Sequence, residues 1–318
     1  MTSQLHVIIG SGPLGQWTAR SLREQGHRVR MVNRSGASPF APADVEIVRG
    51  DATDATTVAQ LSAGATTIYQ CAQPAYHRWS QEFPALQAAI VAGAAASGAK
   101  LVVAENLYIY GDPQDKPLRE DTPYAAHTRK GRVRQQMTET LFAAHQAGQI
   151  RAASARGSDF FGPYDMISAE LVYRDALAAK TINMVGRLDQ PHTFTYVADF
   201  GRTLATLGTN DAALGRAWHV PSASPVTQRD YLDAIGAVIG KPLQARTAGA
   251  LLLRALGLFN PSAGEMVEML YEFERPFVMD SSDFSRTFGI VHTPLDVAIR
   301  ETIAWNQAQL ALPGAAHA

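Results

Sequence analysis

The chain has 318 residues, 46% of them hydrophobic and 18% charged, with a formal net charge of −1. That is the composition of a soluble globular protein, long enough for one large or two modest domains around a substantial core. A charge so near zero supplies no overall field for nucleic acid or a membrane surface, and the single cysteine, Cys71, excludes an internal disulfide.

The opening MTSQLHVIIG runs straight into an apolar strand, without the basic segment, long apolar core and cleavage site of a signal peptide. No stretch approaches the ~20 apolar residues of a membrane helix. The expectation is a cytoplasmic protein whose partner is a small-molecule substrate, not nucleic acid and not a membrane, with a homodimer left open.

QLHVIIG predicts a buried strand, and GQWTARSLREQGH an amphipathic helix closed by Gly26. Between them Gly10, Gly12 and Gly15 form G-x-G-x-x-G, with Ser11, Pro13 and Leu14 filling the loop. The first glycine permits the tight turn, the second leaves room for a pyrophosphate, and the third allows close helix–strand packing. The N–H groups of the helix N-terminus then face the phosphates, which makes these six residues candidate contacts for a dinucleotide.

RVRMVNRS is the second strand, and it ends on Asn33, Arg34 and Ser35 with no carboxylate. An acidic residue at this place pairs with the ribose hydroxyls of NAD, whereas arginine accommodates the 2′-phosphate of NADP. NADP is therefore the preferred cofactor and NAD the alternative. VEIVRGD is the third strand, leading to Asp51 and Ala52 at the expected adenine side, while Asp54 caps the next helix, ATTVAQLSAGA. The fourth strand, TTIYQCA, brings Cys71, Ala72 and Gln73 to the ligand-facing edge. Cys71 has no charged neighbour to activate it and reads as a small packing residue.

FPALQAAIVAGAAASGA is a helix, KLVVAEN a fifth strand, residues 129–147 a helix, and IRAASARGS a sixth strand. Nearly continuous apolar strands joined by helices indicate a parallel sheet covered on both faces. The expected fold class is α/β: a Rossmann-like, doubly wound parallel sheet with a smaller α-rich C-terminal substrate domain. The boundaries read as 1–162 for the cofactor domain, with segments near 192–222 returning to it, and 163–318 for mainly substrate binding.

In motif order, residues 5 to 240 resemble the extended, NAD-dependent epimerase/dehydratase-like branch of the short-chain dehydrogenase/reductase superfamily, in an atypical form. The resemblance rests on Gly50-Asp51 after the third strand, on Tyr110-Gly111 before Glu120-Asp121-Thr122-Pro123, and on RGSDFFGP at 156–163. It implies a serine or threonine four residues before Tyr-Gly and a Tyr-x-x-x-Lys helix after the loop. The first position holds Asn106. With the glycine of the helix motif laid on Gly131, Lys130 stands in the tyrosine's place and Arg134 in the lysine's; a second register offers Thr128 and Arg132. No tyrosine of the chain is followed four residues later by lysine.

Arginine can bind a ribose but cannot shuttle a proton, and asparagine can hydrogen-bond a substrate oxygen without supplying one. Lys130 could donate a proton if burial and adjacent cations weaken its hold on it. Val133, Met137, Leu141 and Ala144 form an apolar stripe, beside which Lys130 and Arg134 repel unless an anion lies between them or their heads reach water. Other proton carriers are Tyr108, Tyr110, Tyr124, His127, Tyr164 and His192; Tyr124 and His127 enter the cleft from the loop before the helix. Tyr76, Trp79, Phe160 and Phe161 complete an aromatic pocket, with Phe160 also beside the cofactor. No metal-ligand spacing occurs.

The candidate catalytic set is therefore Asn106, Lys130, Arg134, Tyr124 and His127, with Asn106 and Lys130 also touching the cofactor. The leading reading is an NAD(P)-dependent oxidoreductase or epimerase for a small carbonyl or hydroxyl compound; the alternative is a non-catalytic NAD(P)-binding sensor.

Overall fold

A computed structural model describes residues 3–259 and 261–312. Seven parallel strands form the central sheet: β1 (Leu5–Ile9), β2 (Arg28–Asn33), β3 (Glu46–Arg49), β4 (Thr67–Gln70), β5 (Lys100–Glu105), β6 (Arg151–Arg156) and β7 (Ala217–His219). Their spatial order is β7-β6-β5-β4-β1-β2-β3. The order reverses between β1 and β4, so their carboxyl ends open a crevice at the place where α/β sheets bind ligands.

Both faces of the sheet are covered, which is why the strands read as apolar runs. Helices α2 (Ala55–Leu61), α3 (Trp79–Ser97) and α4 (Arg129–Gln146) bury one face, with Ile68, Leu101, Val103, Ile90 and Leu141 at its centre. Helices α1 (Pro13–Glu24) and α5 (Val197–Thr209) bury the other, where Ile8, Leu22, Val102 and Leu204 are fully enclosed. β7 and α5 come from the second half of the chain, so the sheet is completed after the chain has left it at residue 156. Asp54 caps α2 through the backbone N–H groups of Thr56 and Thr57.

α3 begins at Trp79, four residues before the FPALQ stretch that its composition marks out, so Pro84 lies inside the helix. Trp79 and Phe83, with ring centroids 5.1 Å apart, anchor that extra turn in the core. A third apolar cluster, built on Tyr173, Leu232, Ile235 and Ile299, holds the C-terminal region together. The segment from Ala250 to Glu274 folds back over the carboxyl edge of the sheet; its helices Ala250–Gly257 and Pro261–Glu265 cross where Gly257 meets Gly264.

Candidate active site

The three loop glycines are required for three different reasons. Gly10 has φ of 108°, and a Cβ there would lie 2.6 Å from the Ala72 nitrogen. A Cβ on Gly15 would lie 2.1 Å from the Gly10 carbonyl. Gly12 differs, since a Cβ on it would meet nothing within 4 Å. It is the N-cap of α1, has no side-chain cap, and is followed by Pro13 and a first turn without acidic residues. A cavity of about 330 Å³ lies in front of this terminus, lined by Ser11, Gly12, Pro13, Ser38, Gln73 and Phe160 among others. Unpaired helix N–H groups, no side chain at Gly12 and no opposing carboxylate in the first turn form a cradle that fits a dinucleotide's pyrophosphate. Leu14 points away, packed on the sheet core.

At the end of β2, the Asn33 amide donates to Ser11 Oγ at 2.8 Å and to the Ala37 carbonyl at 2.8 Å, and its oxygen accepts from Gly36 N at 2.7 Å. This ties the glycine loop to the turn that follows, leaving Arg34 and Ser35 exposed beside it. Asp51 accepts from Thr53 N at 2.9 Å and Thr53 Oγ1 at 2.7 Å, bonds that hold its carboxyl below the usual range with the Arg34 charge adding to them. Ala52 packs on the core. Burial pushes the Cys71 thiol up to about 12, so it is an uncharged packing group behind the loop.

Thr128 caps α4 by accepting from Gly131 N at 3.0 Å. A Cβ on Gly131 would lie 2.7 Å from the Tyr108 carbonyl, so only glycine lets the helix start this close to the end of β5. Lys130 and Arg134 are 1% and 2% exposed, so neither head reaches water. Nor do they share an anion. Lys130 pairs with Glu265 and lies 3.0 Å from Glu268 Oε1, while its ammonium sits 4.4 Å from the Tyr76 ring centre. Glu268 also accepts from the Arg129 backbone N–H at 2.7 Å, and Glu265 takes the Arg129 guanidinium. Arg134 goes elsewhere: it donates to the Ala104 carbonyl at 3.0 Å and lies 4.9 Å from the Phe83 ring centre. The anion that the two cations appeared to need is thus a pair of carboxylates for one and the end of β5, with nearby Glu105, for the other.

Above Lys130 the hydroxyls of Tyr76 and Tyr108 meet at 3.2 Å. Asn106, half-buried, turns its amide oxygen to Tyr108 N at 3.4 Å. Two further carboxyls act on these phenols: Asp159 from the end of β6 and Glu272 from the returning segment. His192 bonds Asp159 at 2.9 Å and approaches the Glu272 carbonyl at 3.2 Å. Burial, reinforced by the Asp159 charge, pushes the Glu272 carboxyl well above its usual range, although Tyr271 donates to it at 3.3 Å. His127 is exposed at the rim, its ring 4.7 Å from that of Tyr271. The reading of the sequence did not single out Asp159, Glu265, Glu268 and Glu272; the spacing of the three glutamates, three and four places apart, is the one local sign that they share a helical face.

Tyr124 belongs to a different cluster. Its hydroxyl accepts from Arg156 at 2.8 Å, and Arg156 also donates to Tyr110 OH at 2.7 Å and to Glu105 at 3.0 Å. Tyr110 in turn meets His219 at 2.8 Å, and His219 N donates to Glu120 at 3.0 Å. The Tyr-Gly, Glu-Asp-Thr-Pro and Arg-Gly-Ser segments therefore meet as one buried network at the carboxyl ends of β5, β6 and β7.

Solved structures show the same fold at low sequence identity. The Bordetella bronchiseptica enzyme WbmH in complex with NAD+ is 18% identical, with a TM-score of 0.74 over 96% of this chain and 99% of that one. A putative epimerase from Burkholderia cenocepacia J2315 is 19% identical, with a TM-score of 0.78 over 96% and 99%. UDP-glucuronic acid 4-epimerase from Bacillus cereus in complex with NAD is 14% identical, with a TM-score of 0.76 over 96% and 99%. Among curated proteins none matches the chain significantly. The model of the NAD dependent epimerase/dehydratase family matches residues 7–220, more than half of the chain, and the protein belongs to that family of enzymes.

Proposed function

We propose that the protein is an NAD(P)-dependent oxidoreductase or epimerase acting on a small carbonyl or hydroxyl compound, with NADP preferred over NAD. The observation that carries this reading is the cradle at Gly12: an uncapped helix N-terminus facing a cavity at the sheet's switch point. When bound, the nicotinamide would supply the hydride chemistry. The chain's own tasks are to hold the phosphates at Ser11–Gly15, to fix the loop through Asn33, and to present polar side chains at the ends of β4, β5 and β6.

The preference for NADP rests on the end of β2, where an amide replaces the carboxylate and Arg34 stands free in solvent. Two of the similar structures contain NAD or NAD+, which keeps NAD as the alternative. A cytoplasmic location and a small-molecule partner, without nucleic acid or membrane, belong to the same reading; no described helix is long and apolar enough to cross a membrane.

Gly12→Val tests the cradle. Its φ of −72° suits a branched residue and a Cβ there meets nothing within 4 Å, so the melting temperature should stay close to that of the wild type. Affinity for NADPH and NADH, read by fluorescence titration, should fall about tenfold or more, because the side chain fills the pyrophosphate's place. Unchanged affinity for both would refute the site. Arg34→Asp tests the choice: NADPH affinity should drop by about tenfold while NADH affinity holds or rises. If the variant binds NADPH as the wild type does, the preference is wrong.

A further inference from the structure

α4 carries no tyrosine, and the lysine in its place directs its ammonium to Glu265 and Glu268. The residues at the neighbouring strand ends supply a phenol all the same. Tyr76 follows β4 and Tyr108 follows β5; both are partly accessible, and their hydroxyls are 3.2 Å apart. The Trp79 ring supports them from below, with centroids 5.1 Å from Tyr76 and 6.0 Å from Tyr108. Three residues before Tyr76, Gln73 lines the cavity at the glycine loop, and Phe160, next to Asp159, lines it from the short strand Phe160–Phe161 that follows β6. The pair thus follows two neighbouring strands on the β4 side of the crevice, and the charges of Asp159 and Glu272 act on both phenols.

We propose that the Tyr76–Tyr108 hydroxyl pair is the proton-handling group of this enzyme, taking the place of the absent helix tyrosine and exchanging its proton with water at the partly accessible phenols. The proposal rests on the functional reading given above. In alcohol oxidation the substrate C–H bond breaks and its electron pair leaves as hydride to the oxidised nicotinamide. The O–H bond breaks as well, and its proton passes to one phenol oxygen while that phenol releases its own through the second to water. The carbonyl that forms is neutral, and one proton has moved. In reduction the same path runs backwards, from water through the two phenols to the carbonyl oxygen. Burial keeps both phenols protonated at rest, so they act as a relay and not as a standing phenolate.

The groups facing this cluster are Lys130, Glu265 and Glu268 on one side, Arg134 beneath, and His192 and Tyr271 at the far end. A purely structural role for the phenols would show in stability, KM and coenzyme affinity together, not in kcat alone. The experiment uses the full chain labelled with 3-fluorotyrosine and its Tyr76→Phe and Tyr108→Phe variants. The two missing fluorine resonances assign the pair, and NADP+ and NAD+ are the probes. Both resonances should shift on coenzyme addition, and each single variant should move the resonance of the remaining partner. In parallel, a panel of quinones, aldehydes and ketones is offered with NADPH and NADH. For any probe turned over, each variant should lower kcat by about 100-fold or more, with KM and coenzyme affinity within about threefold. Coenzyme binding that leaves both resonances in place, or a kcat within about threefold of wild type in both variants, overturns the proposal. If neither coenzyme binds, the functional reading itself is overturned, and this inference with it.

Discussion

Arg156→Met should cost about 3–5 kcal/mol of folding stability, enough to put much of the molecule at risk of unfolding at working temperature. Arg156 and Glu105 are 0% and 1% exposed in their side chains and lie 3.0 Å apart on adjacent strands. Burial alone would raise the Glu105 carboxyl. The charges of Arg156 and Arg134, with the Thr138 hydroxyl, outweigh it and hold the group below its usual range. Methionine keeps the length and loses the charge, so Glu105 is left with only Arg134 and Thr138, while Tyr110 and Tyr124 lose their donor. The double variant Glu105→Leu/Arg156→Met should recover only part of the loss: the unpaired carboxylate is gone, but the buried Arg134 then keeps only the Ala104 carbonyl. Urea denaturation of the three proteins measures this. A single variant within about 1 kcal/mol of the wild type would show that the pair is not what holds the strand ends together.

That network was readable in advance as motif and not as geometry. Tyr110-Gly111, Glu120 and Arg156 announce themselves by order along the chain, and the sheet brings them together because β5, β6 and β7 are neighbours. The strand–helix alternation of the first half was equally plain, since strands covered on both faces must be apolar throughout. The proton-handling end of the site was harder to see. Lys130 meets carboxylates more than 130 positions away, on a segment whose sequence reads only as another helix. Tyr76 and Tyr108 carry no motif, and their contact depends on how far the loops after β4 and β5 lean towards each other. Tyr124 shows the same limit from the other side: position in the loop puts it near the cleft, and only the fold reveals that its hydroxyl accepts from the buried Arg156 guanidinium.

Stability should fall steeply as pH drops below about 6.5, well before most carboxylates titrate. Two enclosed histidines set this. His6 is lowered to about 3, by burial first and then by His27 and Lys100; its Nδ1 meets Tyr69 OH at 2.9 Å. His219 is lowered to about 3, again by burial, against which the Asp280 carbonyl bond works and to which the Arg156 charge adds. The unfolded chain takes up a proton at each histidine near pH 6.5, while the native protein refuses it until about 3. Stability is therefore fully present above pH 6.5 and is lost as the pH falls between these limits. Two such groups give a slope of roughly 2.7 kcal/mol per pH unit, so about 4 kcal/mol is lost by pH 5. His27, lowered by its own burial, acts in the same direction. His219→Gln keeps an amide donor for the Asp280 carbonyl and an acceptor for Tyr110, and should reduce the slope by about 1.4 kcal/mol per pH unit. Urea midpoints at pH 7.5 and 5.5 provide the measurement. Equal stability at the two values would mean that the folded protein takes up the proton at both histidines; an unchanged slope in the variant would mean that His219 is protonated in the folded protein and that its bond to Tyr110 runs from the imidazolium to the phenol oxygen.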